Sequence, residues 1–291
     1  MKLVVLDMDG TLLDKNGEVS EANKNAIKNI QAKNIEVIIA TGRHYADAIA
    51  TLEEAGLHCP VISVNGGDIR DKNGDRLWHL PIKRKTVQQI IEFAHNQKIY
   101  VEVYTDQAIY TTYSGREHLK VEMDILMDAN SYVSREALKK AAEKQFQQAS
   151  VTTVSSFEEV LSNKETNIYK ILFFSFENTK LKESQHKVCA QFGADVVVSS
   201  SGKHNIEMTH PQAQKGYAVQ KIADRYGIQL RDILAIGDNL NDLSMLRIVG
   251  HPVAMGNAET DVKNEAEFVT NTNDEDGVAF ALEKYFPNEL P

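Results

Sequence analysis

Residues 3–11, with the sequence LVVLDMDGT, contain the pattern that decides the fold class. The first four residues are apolar with no polar alternation, and such a run is typical of a parallel strand buried on both faces. Five other short runs have the same character: residues 35–40, 61–64, 233–236, 253–255 and 268–270.

Helical patterns lie between most of these runs. Ser20 is a suitable N-cap for a helix that begins after it. Apolar residues also recur at helical spacing over residues 45–55, 216–226 and 260–266. Strands that alternate with helices predict an α/β fold built on a doubly wound, mostly parallel sheet.

The middle of the chain has a different pattern, because strand-like and helix-like segments are mixed there. We predict an α+β domain over residues 83–209, inserted into a domain formed by residues 1–82 and 210–291. The expected elements are a hairpin joining residues 101–104 to 108–112, strands at 168–176 and 194–199, helices at 86–95, 137–146 and 179–192, and a capping box of Ser156 and Glu159.

The composition limits the classes of partner. The chain has 291 residues and a net charge of -9, which argues against general affinity for nucleic acid or an anionic membrane. Cys59 and Cys189 are too few for a disulfide framework or a zinc cluster, which favours a reducing, cytoplasmic location. No apolar run approaches the roughly 20 residues of a membrane span. Because the net charge of the chain is negative, an anionic substrate needs a local cation or metal. Nothing in the sequence decides between a monomer and a homodimer.

Carboxylates follow the first predicted strand. Asp7 and Asp9 flank Met8, and alternation along an extended segment predicts that both carboxylates leave the same side. Two crowded carboxylates repel unless a cation or a proton relieves them. Mg²⁺ suits this setting because it prefers oxygen ligands and is commonly held by one or two carboxylates plus phosphate. Asp238, after another predicted strand, is placed to supply a further ligand.

These residues suggest a phosphoryl-transfer reaction. Asp7 is the candidate nucleophile, because a carboxylate can attack phosphorus once a cation neutralises the phosphoryl oxygens. Asp9 is the candidate acid that protonates the leaving oxygen and then the base that activates water. Gly10 permits close approach of the backbone and leaves amide groups to hold phosphate.

Phosphate contacts are expected from other segments. Thr41 and Gly42 offer a hydroxyl and amides at the predicted start of the next helix, where the helix end is positive. Lys215 is expected to supply a fixed cation. Asn241 is expected to orient either the phosphate or a metal-bound water, and Asp242 to brace either the metal ligands or Lys215.

The ordered motifs resemble those of a known family. Asp7-x-Asp9-Gly10-Thr11, Thr41-Gly42-Arg43, Lys215-Gly216 and Gly237-Asp238-x-x-Asn241-Asp242 are similar to the four motifs of the haloacid dehalogenase superfamily, and in particular to its Cof-type phosphatases. Asn65-Gly66-Gly67 also resembles a Cof-type feature. The resemblance implies a Rossmann-like core, with residues 83–209 as a C2-type cap that selects the substrate.

The same resemblance implies roles for individual residues. It gives Asp7 as nucleophile, Asp9 as acid and base, and Mg²⁺ bound by Asp7, the Asp9 main-chain carbonyl and Asp238. The residues that it implies for phosphate binding are Met8 through its backbone, Thr41, Gly42, Lys215 and Asn241. We expect Arg43 and Asp242 to support these residues.

The expected activity is magnesium-dependent hydrolysis of small phosphorylated metabolites, such as sugar phosphates, nucleotides or phosphorylated cofactors. Two alternatives remain open. A phosphotransferase or mutase would use the same aspartyl-phosphate but deliver it to another hydroxyl. A regulator would bind the metabolite without turnover, although the intact set of Asp7, Asp9, Lys215 and Asp238 argues against it.

Overall fold

The structure is a computed structural model that describes residues 1–114, 116, 117, 120, 151–200 and 204–287. The chain divides into two compact units. The core unit consists of Met1–His79 and Gln212–Pro291, and the inserted unit consists of Leu80–Pro211. The helix predicted at residues 137–146 lies outside the described residues.

The secondary-structure elements of the described residues are numbered here along the chain. The strands are β1 (Leu3–Asp7), β2 (Glu36–Ala40), β3 (Val61–Ser63), β4 (Asp68–Arg70), β5 (Arg76–His79), β6 (Tyr100–Thr105), β7 (Ile109–Thr112), β8 (Val151–Val154), β9 (Ile168–Phe174), β10 (Val197–Ser199), β11 (Asn205–Thr209), β12 (Ile233–Gly237), β13 (His251–Ala254) and β14 (Phe268–Val269). The α-helices are α1 (Glu21–Ala32), α2 (Tyr45–Glu54), α3 (Arg84–Asn96), α4 (Glu158–Leu161), α5 (Asn178–Phe192), α6 (Lys215–Tyr226), α7 (Leu243–Leu246), α8 (Thr260–Glu265) and α9 (Gly277–Tyr285).

The core unit contains the predicted α/β sheet. Its strand order is β14-β13-β12-β1-β2-β3-β4-β5, and the strands from β14 to β3 pair in parallel. Every residue of β1 and β12 is buried, as the unbroken apolar runs predicted. The fold class is therefore confirmed. The antiparallel strands β4 and β5 were not predicted, because three and four residues are too few to show a clear period.

Local signals explain two helices of the core unit. Ser20 caps α1, since its Oγ accepts a hydrogen bond of 3.1 Å from the main-chain N–H of Asn23. Helix α6 begins at Lys215 and is followed by Gly227, whose φ of 65° is the left-handed conformation that glycine adopts easily. The start of α6 matters for the site described below.

The described residues of the inserted unit form a six-stranded sheet in the order β10-β11-β9-β6-β7-β8. The predicted hairpin of β6 and β7 and the predicted strand at β9 are both present. The predicted capping box is wrong: Phe157 precedes α4 with no side-chain cap, and the Glu159 carboxylate accepts from the main-chain N–H of Ser155 instead of Ser156. Every helix among the described residues is too short or too polar to cross a membrane.

Candidate active site

Strand register brings three of the polar motifs to one edge of the core sheet. Asp7, the last residue of β1, lies opposite Ala40 at the end of β2, and Thr41 follows directly. On the other side of β1, Leu6 lies opposite Ile236, so that Gly237 and Asp238 continue along the same edge. The carboxyl ends of parallel strands form the usual ligand edge of open α/β sheets.

A buried group of charges occupies this edge. Lys215, the first residue of α6, donates hydrogen bonds to Oδ1 of Asp7 and, at 2.7 Å, to Oδ1 of Asp242. The Lys215 side chain is fully buried, and both carboxylates are also buried. A fully buried ammonium is tolerated only when it is paired and hydrogen-bonded. The two carboxylates therefore fix the position of the cation, and the cation fixes Asp7.

The pKa values of the group follow from burial and from charge. Burial raises the pKa of Asp7 above its ordinary value, and the negative charge of Asp242 raises it further against the opposing effect of Lys215. Burial and Asp242 likewise raise the pKa of Asp238. Burial by itself would lower the pKa of Lys215, but the charges of Asp242 and Asp7 raise it above its ordinary value. The raised pKa favours the charged form of the Lys215 ammonium, and the three nearby carboxylates outnumber this one cation.

Oxygen atoms of three carboxylates lie close enough to share a cation. Atoms of Asp7, Asp238 and Asp242 all lie within 4.8 Å of one another. Asp242 has both oxygens engaged, since Oδ1 accepts from Lys215 and Oδ2 accepts from the main-chain N–H groups of Asp238 and Asn239 at 2.9 and 3.0 Å. Asp7 and Asp238 are therefore the carboxylates that offer oxygens to a metal. This all-oxygen set with excess negative charge fits a hard divalent cation such as Mg²⁺.

Gly10 allows Asp238 to approach the loop after β1. The φ of Gly10 is +82°. A Cβ atom on this residue would lie 2.9 Å from Cγ of Asp238, a distance shorter than Cβ atoms show to non-bonded atoms in proteins. The Asp238 carboxylate is also held by Thr11, whose hydroxyl donates to Oδ1 at 3.0 Å. Asn257 also donates to the carbonyl of Gly10 at 2.8 Å. Thr11 and Asn257 received no role from sequence, because both contacts join distant parts of the chain.

Asp9 lies outside the buried group. Strand β1 ends at Asp7, so strand alternation does not govern Asp9, and its side chain is 55% exposed. Both of its oxygens bind Arg43, with Nε to Oδ2 at 2.9 Å and Nη2 to Oδ1 at 2.6 Å. The intervening Met8 side chain is buried. Metal binding by Asp9 and its action as acid and base stay predictions.

Thr41 and Gly42 lie in the loop between β2 and α2. Their predicted placement at the start of the helix is wrong, because α2 begins at Tyr45 and its N-cap is His44, whose Nδ1 accepts from the N–H of Ala46 at 3.2 Å. The Thr41 hydroxyl accepts from the main-chain N–H of Arg43 at 3.1 Å. Any phosphate contact here comes from loop groups and not from the end of α2.

Asn241 has a partner to which sequence reasoning gave no role. Its Nδ2 donates to Oδ1 of Asn65 at 3.1 Å, and a Cβ atom on Gly42 would lie 3.2 Å from the same oxygen. Asn65 is thus close to two predicted phosphate-binding residues. The only sequence signal was its place in an Asn-Gly-Gly stretch after the run at residues 61–64.

Comparison with known proteins gives consistent matches. A model of the haloacid dehalogenase-like hydrolases matches residues 4–282. The chain is 40% identical to the phosphatase YwpJ of Bacillus subtilis over 97% of its own length and 99% of the relative's. It is 39% identical to the 5-amino-6-(5-phospho-D-ribitylamino)uracil phosphatase YwtE of the same organism, with 98% of each chain covered. The solved structure of a haloacid dehalogenase-like hydrolase from B. subtilis matches with a TM-score of 0.81 at 40% identity, over 97% of this chain and 99% of that one.

Proposed function

This chain belongs to the haloacid dehalogenase-like hydrolases and is a phosphatase; from that premise we propose that it hydrolyses small phosphorylated metabolites with Mg²⁺, through an aspartyl-phosphate on Asp7. The observation that carries the proposal is the buried Lys215, which joins Asp7 to Asp242 beside Asp238. Such a group holds one carboxylate oxygen rigidly at the ligand edge of the sheet, as an in-line displacement requires.

The first displacement transfers the phosphoryl group to the protein. A carboxylate oxygen of Asp7 forms a bond to phosphorus while the bond from phosphorus to the substrate's ester oxygen breaks. Asp9, in its acid form, gives its proton to that oxygen, and the alcohol leaves. Asp9 must first release Arg43, since Arg43 binds both of its oxygens in this structure.

The second displacement returns the protein to its starting state. Asp9, now a carboxylate, takes a proton from water, whose oxygen bonds to phosphorus as the bond to Asp7 breaks. Inorganic phosphate leaves, Asp7 is again a carboxylate and Asp9 is again an acid.

The remaining residues of the site hold charge and position. A bound Mg²⁺ supplies positive charge that offsets the charges of the phosphoryl oxygens and of Asp7 and Asp238. Lys215 adds a second cation without having to reorganise during the reaction, because Asp242 already fixes it. The Met8 backbone, Thr41, Gly42 and Asn241 are proposed to hold the phosphoryl oxygens.

We assign substrate selection to the inserted unit. The relative YwtE is named as a phosphatase of 5-amino-6-(5-phospho-D-ribitylamino)uracil. Its 39% identity over 98% of both chains makes this compound the first substrate to test. Sugar phosphates and nucleotides complete the screen.

The test measures free phosphate and phosphorylated acceptor in parallel. We expect free phosphate with Mg²⁺, its loss with a chelator, and its loss in Asp7→Asn. The matched control is Asp14→Asn, because Asp14 is a partly exposed carboxylate of the same unit that is hydrogen-bonded in its own turn, and its replacement should leave turnover unchanged. Phosphorylated acceptor without free phosphate would indicate a phosphotransferase, and turnover that survives in Asp7→Asn would refute the mechanism.

A further inference from the structure

We propose that Asn65 is a positioning residue that orients the Asn241 amide for phosphate, and that the turn Val64–Gly66 aligns three of the proposed phosphate-binding segments. The proposal rests on the function proposed above, because it concerns the same site. All of the residues involved belong to the core unit.

The turn touches three of the segments that are proposed to hold phosphate. The main-chain N–H of Asn65 donates to the carbonyl of Thr41 at 2.9 Å, and that of Val64 donates to the carbonyl of Arg43 at 2.9 Å. These two bonds fix the loop that carries Thr41 and Gly42. The Asn65 side chain reaches Asn241 in the loop after β12.

The third contact is with the start of α6. Gly66 has a φ of +105°, and a Cβ atom there would lie 2.7 Å from the carbonyl oxygen of Gln214, the residue before Lys215. A side chain at Gly66 would therefore push against the segment that places Lys215. The loops after β2 and β12 and the beginning of α6 thus all meet at this one turn.

The backbone of the turn is held in an unusual conformation. Val64 and Asn65 have φ values of 50° and 56°, in the left-handed region. Asparagine visits that region readily, but a β-branched residue such as valine rarely does. Strain of this kind persists only where the surroundings hold it in place, and it is concentrated at functional sites.

The side chain of Asn65 determines which end of the Asn241 amide faces it. The Oδ1 atom of Asn65 is only an acceptor, so it selects the orientation in which Asn241 presents its NH₂ group. One N–H of that group binds Asn65, and the second remains for an anion. Without Asn65 the amide is able to rotate and present its oxygen, which would repel a phosphate.

A simpler role is that Asn65 merely tolerates a left-handed turn. Glycine would serve that role equally well, because it adopts positive φ without strain. Asn65→Gly therefore keeps the backbone and removes only the acceptor. Asn34→Gly is the matched control, since Asn34 also has a left-handed φ of 59° and lies in the loop between α1 and β2.

The experiment measures the dissociation constant of inorganic phosphate by calorimetry in the presence of Mg²⁺. The proteins are wild type, Asn65→Gly, Asn241→Ala, the double variant and Asn34→Gly. We expect Asn65→Gly to weaken phosphate binding about two- to tenfold, the value of one hydrogen bond. The double variant should bind no more weakly than Asn241→Ala, and Asn34→Gly should match wild type.

Two outcomes overturn the inference. One is wild-type phosphate affinity in Asn65→Gly. The other is that Asn65→Gly weakens phosphate binding by the same factor in the wild-type protein and in the Asn241→Ala variant. If Asn65→Gly does not stay folded, Asn65→Ser replaces it, because the serine side chain is too short to reach Asn241. We expect the same coupling between positions 65 and 241 in phosphate binding. The assay needs no turnover. Intact coupling in a protein that releases no phosphate from esters refutes only the proposed function, whereas normal turnover without coupling refutes only the role of Asn65.

Discussion

Replacing Gly10 by alanine tests how the loop after β1 and Asp238 fit together. Gly10 has a φ of +82°, and the added methyl group would lie 2.9 Å from Cγ and 3.0 Å from Oδ1 of Asp238. Asp238 has to turn away, which breaks its hydrogen bond with Thr11. Gly17→Ala is a close control, because Gly17 has a φ of +83° and its added methyl group would meet no atom of the described residues within 4 Å.

The two variants share one cost and differ in another. Alanine in the left-handed region costs about 1–2 kcal/mol in either variant. Only Gly10→Ala also loses the hydrogen bond to a charged carboxylate, which contributes about 1.5–3 kcal/mol. We therefore expect Gly17→Ala to lower the free energy of unfolding by about 1–2 kcal/mol, and Gly10→Ala by about 2.5–5 kcal/mol.

The difference should also be seen in metal binding. Loss of a residue that holds a metal ligand in place typically weakens metal affinity by about 10–100-fold. Urea unfolding gives the free energies, and the Mg²⁺ concentration for half-maximal phosphate release gives the second measurement. Gly17→Ala should keep the wild-type Mg²⁺ requirement. If Gly10→Ala matches Gly17→Ala in both measurements, the proposed placement of Asp238 as a metal ligand is refuted.

Two further predictions concern buried groups. Lys215→Met leaves two buried carboxylates without their cation and should lower the free energy of unfolding in urea by about 3–5 kcal/mol. Lys221→Met removes a cation of the same helix that lies over the rings of Trp78 and Tyr217, and it should lower that free energy by less than about 1 kcal/mol. Equal losses would contradict the account. Burial raises the pKa of the Cys59 thiol to about 12, so at about pH 8 only about one molecule in ten thousand carries the reactive thiolate. Ellman's reagent should therefore titrate the exposed Cys189 alone in the native protein and both thiols in denaturant, and two rapid equivalents from native protein would show that Cys59 is accessible.

The sequence predicted those features that depend on local pattern. The unbroken apolar run of β1 marked a buried strand that ends at Asp7. Asp7 was given a role in the site because parallel sheets bind ligands at the carboxyl ends of their strands. The N-cap Ser20 was recognised because its hydroxyl acts only three residues away, on Asn23. Asp242 was expected to brace either the metal ligands or Lys215, and the structure shows its hydrogen bond with Lys215.

The features that were missed depend on contacts between distant parts of the chain or on uncommon local choices. Asn65 and Asn241 are 176 positions apart, so no local period links them. Helix α2 begins at Tyr45, as the apolar spacing over residues 45–55 predicted, but Thr41 and Gly42 were wrongly placed at its start because His44 is an unusual N-cap. The pairing of Asp9 with Arg43 depends on the course of the loops after β1 and β2, which a strand pattern does not specify.

The stereochemical course at phosphorus tests the central claim most directly. A phosphorothioate monoester, made chiral by its sulfur and two different oxygen isotopes, is hydrolysed in water that carries the third isotope, and the configuration of the released thiophosphate is determined. Two in-line displacements, first by the Asp7 carboxylate and then by water, predict net retention. Net inversion would mean that water attacks the ester directly, and it would contradict an aspartyl-phosphate intermediate.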